Sequence, residues 1–410
     1  MNIIIGKKAR RDLTVGEQLA RGPVDLPFLM LTLLLLGIGL LMMFSASYAT
    51  AYYDPPKKGS TPMYYIARQS IFALGGVVVM YFISKVNYQT FRWLAVPMLA
   101  GSLLLLVLVL TPLGVRINGA QRWMRMGFFA GPTYQPSEIA KVAVILFFSS
   151  RLSKRGTQKK KKWSRRTLKG RICQFLENIG FMELLPYGGV LAVVAGLMLL
   201  EPHMSGTILI LAGGAAVLFA SGIGMGWFIF GGGTVAVGLW AIITMTPYMT
   251  ARIQLWQDPW SDPLGKGFQT IQSLLAIGSG GLLGLGFGKS RQKFLYIPEP
   301  ENDFVFPIVV EELGFIGGAL VLLLFSLLIL RGYWLALHAR DKFGALIIVG
   351  IITLLAVQVF LNIGVVTNLI PNTGISLPFF SYGGTALLSQ LAEMGIVLSV
   401  SRQIPPPKHD

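Results

Sequence analysis

Apolar residues fall into ten long stretches of the 410-residue chain, at about 27–47, 65–85, 91–111, 135–151, 183–200, 204–221, 224–246, 304–331, 342–366 and 378–401. A helix needs roughly 20 apolar residues to cross a bilayer. The pattern therefore predicts an all-α polytopic membrane protein with about ten transmembrane helices. Residues 27–401 form one membrane domain, with a basic segment at 1–26 before it and a tail at 402–410 after it. Two long polar intervals interrupt the domain, at 152–182 and 247–303.

Charge gives the pattern a direction. Lys7, Lys8, Arg10, Arg11 and Arg21 precede the first stretch, and four lysines at 159–162 with Arg165, Arg166, Lys169 and Arg171 fill the 152–182 interval. Arg331–Lys342 and the tail are basic as well. Basic loops accumulate on the cytosolic side. With ten spans, all of these segments fall there and both termini are cytosolic. The interval 247–303 then becomes a large outer loop between spans 7 and 8.

Within that loop, 268–288 is apolar enough to imitate an eleventh span, which would export Arg331–Lys342 and the tail. Gln269, Gln272 and Ser273 share one helical face. The expectation is an amphipathic or re-entrant segment at the outer membrane boundary.

Composition agrees. The chain is 53% hydrophobic and 13% charged, against about 25% charged in soluble proteins. A net charge of +17 would suit nucleic acid, but the basic residues sit where cytosolic loops belong, so a membrane and no nucleic acid is expected. The single cysteine, Cys173, excludes a disulfide framework, and His203, His338 and His409 show no metal-ligand spacing.

Candidate chemistry concentrates outside. Asp258 and Asp262 each precede a proline, where an aspartate either caps a turn or acts on a substrate. Arg116, Arg122, Arg125, Lys266, Lys289, Arg291 and Lys293 lie on the outer side against the topological bias, and such cations suit a phosphate group. At membrane depth, Glu138 and Lys141 are three apart on one helix face and can pair. Ionisable residues there are functional candidates or bundle-packing pairs. Glu311, Glu312, Gln358, Asn362, Gln390 and Glu393 pose the same question. The run ISLPFFSYGG at 375–384, which includes Ser381, opens the last span.

Four stretches together resemble one family. They are NGAQRW (118–123) with QPSEIAK (135–141), DPWSDPLGKGFQTIQSLLAIGSGG (258–281), KFLYIPEPENDFVFPIVVEELG (293–314) and PNTGISLPFFSYGG (371–384). The chain resembles, over nearly its whole length, the SEDS proteins of shape, elongation, division and sporulation. GKSRQKFLYIPEPENDF is nearer the division member FtsW than the elongation member RodA.

The resemblance implies a peptidoglycan glycosyltransferase of the bacterial cytoplasmic membrane. Such an enzyme polymerises lipid II on the outer face, beside a class B penicillin-binding protein and other divisome proteins. It implies Asp262 as the essential acid and leaves Asp258 as a turn residue. Arg122 and Trp123 match the family's RW pair, and Glu138 and Lys141 its QPSE–K helix. Lys266, Gln269, Lys289, Arg291, Lys293 and Ser381 complete the expected substrate contacts, and a divalent metal, Mg2+ or Mn2+, is the one cofactor considered. Three other readings stay open: a lipid II flippase or transporter, a RodA-like elongation enzyme and a non-catalytic scaffold.

Overall fold

The computed structural model describes residues 22–53, 61–117, 120–125, 133–154, 181–201, 203–245, 247–265 and 267–404. Most of the 152–182 basic interval, with Cys173, lies outside these residues, as does Lys266. Helices cover all ten apolar stretches. They are α1 (Leu26–Tyr53), α2 (Tyr64–Lys85), α3 (Phe91–Val109), α4 (Pro136–Leu152), α5 (Phe181–Leu200), α6 (Met204–Ala220), α7 (Met225–Met245), α10 (Val305–Leu337), α11 (Lys342–Val366) and α12 (Gly384–Ser401). Two shorter helices, α8 (Pro247–Gln257) and α9 (Phe268–Ser279), fall in the large loop. Among the described residues, 7 helices are long and apolar enough to cross a membrane. These are α1, α2, α3, α5, α10, α11 and α12; α6 and the first part of α7 are apolar but shorter, and α4 carries Glu138, Lys141 and Arg151.

Two expectations need correction. The all-α reading missed a small antiparallel sheet between α3 and α4, in which β1 (Gly114–Ile117) pairs with β2 (Ala120–Arg125), and β2 with β3 (Thr133–Tyr134). Strands this short carry a period-2 signal that hydropathy over a membrane-length window averages away. The last span was also drawn too early, because regular helix begins only at Gly384. Pro378 lacks an N–H and Phe379 sits at φ 64, so the chain cannot coil regularly there.

The direction of the bundle follows from long-range hydrogen bonds. At one end, Arg402 donates to the Gly22 carbonyl at 2.9 Å, Arg331 pairs with Asp25, and Lys342 donates to the Ser221 carbonyl at 2.9 Å. At the other end, Thr50 donates to Glu301, Arg122 to the Glu201 carbonyl, and Trp256 to the Asn368 carbonyl. Both described chain ends thus lie together, and the large loop lies opposite them. The helices α11 and α12 are the most buried of the membrane-length set.

The loop segment 280–286 explains the glycine-rich run. Helix α10 is broken at Gly314, which has φ 71 and ψ −176. The break frees two carbonyls, and Leu285 N and Gly286 N donate to Glu311 O and Glu312 O, each at 3.0 Å. Beyond it, Phe315 N and Ile316 N donate to Gly281 O and Leu282 O. A Cβ at Gly284 would lie 2.2 Å from Glu312 O, so side chains are excluded where the two backbones meet. Below the break, Phe315–Leu337 alone covers about 34 Å at 1.5 Å per residue, enough for a bilayer core. The stretch 268–288 is accordingly no span. Its helix α9 has 12 residues, about 18 Å, and turns Ser273 into the protein, where it donates to Val366 O at 2.7 Å.

Candidate functional site

At the loop end of the bundle, several chain segments line a cavity of about 540 Å³. Strand β2 supplies Arg122 and Trp123. The preceding Gln121 fixes the strand, because its side-chain amide donates to Val109 O at 2.8 Å and Thr111 O at 2.6 Å, at the end of α3. Helix α4 begins with Pro136 at its first position, where a missing N–H costs nothing. One turn on, Glu138 and Lys141 reach the cavity and pair at 2.9 Å, as their spacing predicts. Arg68 comes from α2, His203 and Ser205 from the α5–α6 junction, and Glu299, Asn302 and Asp303 from the segment before α10. Gly374–Ser376 and Tyr382–Ala386 close the wall.

A smaller space of about 30 Å³ shares Glu138 and Lys141 with the cavity and reaches Ser381, Gln390 and Glu393. Ser381 is engaged in its own turn. Its hydroxyl accepts from Leu377 N at 2.7 Å, and its carbonyl accepts from Gln69 at 3.1 Å.

Burial sets the charge states around the cavity. Burial, then Arg122 and Lys141, pushes the His203 imidazole down to about 3, so it is neutral near pH 7. Its ring nitrogens lie 3.2 and 3.3 Å from the Gln135 amide. Burial raises the Glu201 carboxyl to about 7 against the pull of Arg122, and among the described residues neither of its oxygens has a hydrogen-bond partner. Glu301 is raised by burial to about 7, and Asp303 by burial and by Glu299 to about 6.

Four of the expected site residues therefore come together: Arg122, Trp123, Glu138 and Lys141. Asp262 does not line the cavity. Its carbonyl accepts from Gly267 N at 3.1 Å, and its half-buried side chain lies against Gly265. The flanking Trp260 and Leu264 are 63% and 91% exposed. Asp258 caps the adjacent turn, accepting from Trp260 N at 3.1 Å, which matches its reading as a turn residue. Gln269 braces the loop, donating to Pro298 O and accepting from Asn372, both at 3.3 Å.

Lys289 and Arg291 are exposed. Lys293 is corrected from a phosphate contact to a structural cation. It is buried, and its ammonium donates to Glu312 at 2.9 Å, Ser45 at 3.0 Å and Gly288 O at 2.7 Å. Sequence reasoning missed Arg68 and Asp303 and gave His203 no role in a site. The three acids of PEPEND, next to an apolar span, were the signal for Asp303. Among the described residues, no group of three or more His, Cys, Asp or Glu is placed to hold a metal.

A sequence model for a family described as cell cycle protein, FTSW_RODA_SPOVE, matches residues 26–405. Stage V sporulation protein E of Bacillus subtilis is 43% identical over 380 residues, covering 92% of this chain and 97% of the relative. A probable peptidoglycan glycosyltransferase FtsW of Geobacter metallireducens is 38% identical over 385 residues, covering 93% and 95%. Among solved structures, a peptidoglycan synthase complex described as coordinating polymerization and crosslinking matches with a TM-score of 0.69 and 30% identity, covering 92% of this chain and 98% of that one. The rod shape determining protein RodA of Thermus thermophilus matches at 0.62 and 28%, covering 93% and 98%.

Proposed function

Since the chain belongs to the FtsW/RodA/SpoVE family and is nearer FtsW than RodA, we propose that it is a peptidoglycan glycosyltransferase of the division type. It polymerises lipid II at the outer face of the bacterial cytoplasmic membrane. The observation that carries this reading is the convergence of Arg122, Trp123, Glu138 and Lys141 on one cavity, at the bundle end opposite both described chain ends. The basic segments hold those chain ends in the cytosol, so the cavity faces outward.

The 4-hydroxyl of one sugar attacks the anomeric carbon of the growing chain, which leaves undecaprenyl pyrophosphate with inversion. A sugar hydroxyl is a weak nucleophile near neutral pH, so a carboxylate that takes its proton accelerates the step. Asp262 has that role in this reading, which requires the turn 258–265 to close on the bound lipid. Arg122 and Lys141 stabilise the charge developing on the pyrophosphate. Because pyrophosphate is a good leaving group once so stabilised, one carboxylate suffices where glycoside hydrolases use two. A divalent ion would arrive on the pyrophosphate and need only one or two carboxylates from the protein.

A class B penicillin-binding protein is the proposed partner, supported by the similar structure of a polymerizing and crosslinking complex. Asp262→Asn in reconstituted protein with that partner and lipid II should abolish glycan chains while the thermal unfolding midpoint stays put. Normal polymerisation by the variant would remove Asp262 from the mechanism.

One observation favours lipid II transport instead: the small space that reaches Glu393 within the bundle. Glycan chains formed from lipid II supplied on the accessible face alone would exclude transport as the sole activity.

A further inference from the structure

The cavity wall carries cations on three elements, Arg68 on α2, Arg122 on β2 and Lys141 on α4, where Lys141 is paired with Glu138. Arg122 and Lys141 act together on His203 at the α4 and α5–α6 side. The segment 299–303 contributes Glu299, Asn302 and Asp303. There the charge that raises Asp303 is another carboxylate, Glu299.

Asp303 is fixed but not saturated. Asn362, fully buried in α11, donates through one amide nitrogen to Asp303 O at 2.8 Å and to Ile375 O at 2.7 Å, tying the two wall segments together. Among the described residues, the Asp303 carboxylate is held only by its own backbone N–H. Facing it is Gly374, where an added Cβ would touch Oδ2 at 3.6 Å; with no side chain there, both residues line the cavity.

A fixed carboxylate with spare lone pairs and an acidic neighbour repels phosphate. It suits a neutral group rich in donors, such as the hydroxyls and acetamido N–H of a sugar, through charge-assisted hydrogen bonds. We propose that the Glu299–Asp303 wall is the sugar subsite of the cavity, with Asp303 accepting a hydrogen bond from a sugar hydroxyl or amide while the pyrophosphate lies toward Arg122 and Lys141. This rests on the glycosyltransferase reading above. It gives the substrate one orientation, and it gives Asp303 a binding role separate from proton abstraction by Asp262.

The test titrates lipid II against the full-length reconstituted protein and its partner, for wild type, Asp303→Asn and Gly374→Asn. Asp303→Asn should raise KM about tenfold to a hundredfold with kcat changed less than about threefold and the unfolding midpoint unmoved. An unchanged KM in a folded Asp303→Asn protein overturns the subsite. If Asp303→Asn does not fold, Gly374→Asn decides. It keeps the carboxylate and fills the space above it, in a φ region that asparagine tolerates. A wild-type KM for that variant also overturns the proposal. A wild-type protein that neither polymerises nor binds lipid II overturns the parent reading instead, so the two failures are distinct.

Discussion

Two clusters of buried charge lie toward the same end of the bundle, and they differ in how much hydrogen-bonding capacity is left over. Around Glu312 nothing is spare. Its carboxylate accepts from Ser45, Lys293, Gly288 N and Ser290 N, while the neighbouring Glu311 accepts from Ser290 and Arg291 N. Beside the cavity the Glu201 oxygens have no partner among the described residues, and in its wall the Asp303 carboxylate has only its own backbone. A closed cluster holds chain segments in place; an open one keeps capacity for a ligand. Burial alone does not distinguish them, because Glu201 is as deeply enclosed as Glu311 and Glu312. Satisfaction does.

The strongest way to break this comparison is to open the closed cluster. Lys293→Met leaves the Glu312 carboxylate buried without its cation, and removing one partner of such a pair typically costs about 3–5 kcal/mol. The thermal unfolding midpoint in detergent should fall sharply, with activity lost as the fold is lost. The double variant Lys293→Met with Glu312→Gln removes both charges and should recover part of the loss. A Lys293→Met protein of wild-type stability but poor lipid II use would return Lys293 to the substrate contacts.

The reverse experiment cuts the open cluster. Arg122→Ala removes a cavity cation that also donates to Glu201 O at 3.3 Å. Lipid II use, read as kcat/KM, should fall about tenfold to a hundredfold while the midpoint moves little. If stability and activity fell together, Arg122 would belong with Lys293 as a packing residue, and the distinction between the clusters would fail on its cationic side.

The same contrast explains what the sequence could and could not say. Helices are local, and burial in lipid forces long apolar runs, so the seven membrane-length helices among the described residues all appeared as apolar runs. Glu138 and Lys141 were legible because their pairing is set by helical spacing alone. Lys293 was not, since its partners Ser45 and Glu312 lie 248 and 19 residues away and only the fold joins them. Asp303 stayed hidden for the same reason: Gly374 and Asn362 are brought to it by packing. The stretch 268–288, with its glycine run, imitated a span and read as an amphipathic or re-entrant segment. Its glycines are there to let one backbone lie against the break in another.

The smallest expected effect concerns Glu301, which stands between the two clusters in character. It is buried, accepts from Thr50 at 3.4 Å and from Tyr65, and receives Tyr382 N on its carbonyl at 2.7 Å, yet among the described residues no cation pairs with it. Burial raises its carboxyl from 4.5 to about 7. A raised acid is more readily protonated in the folded protein than in the unfolded chain. Its contribution to stability is complete below pH 4.5, declines as pH rises, and is gone above about 7. His203 works in the opposite sense, since its lowered pKa contributes fully above pH 6.5 and is lost as pH falls toward 3. The wild-type midpoint therefore mixes both trends, and the informative quantity is the difference between Glu301→Gln and wild type. Glutamine does not titrate, so the variant should gain on wild type steadily from pH 5 to 7 and then run parallel to it. A difference that stays flat across that range would mean that Glu301 is charged in the fold and has a cation partner, which would place it with the closed cluster.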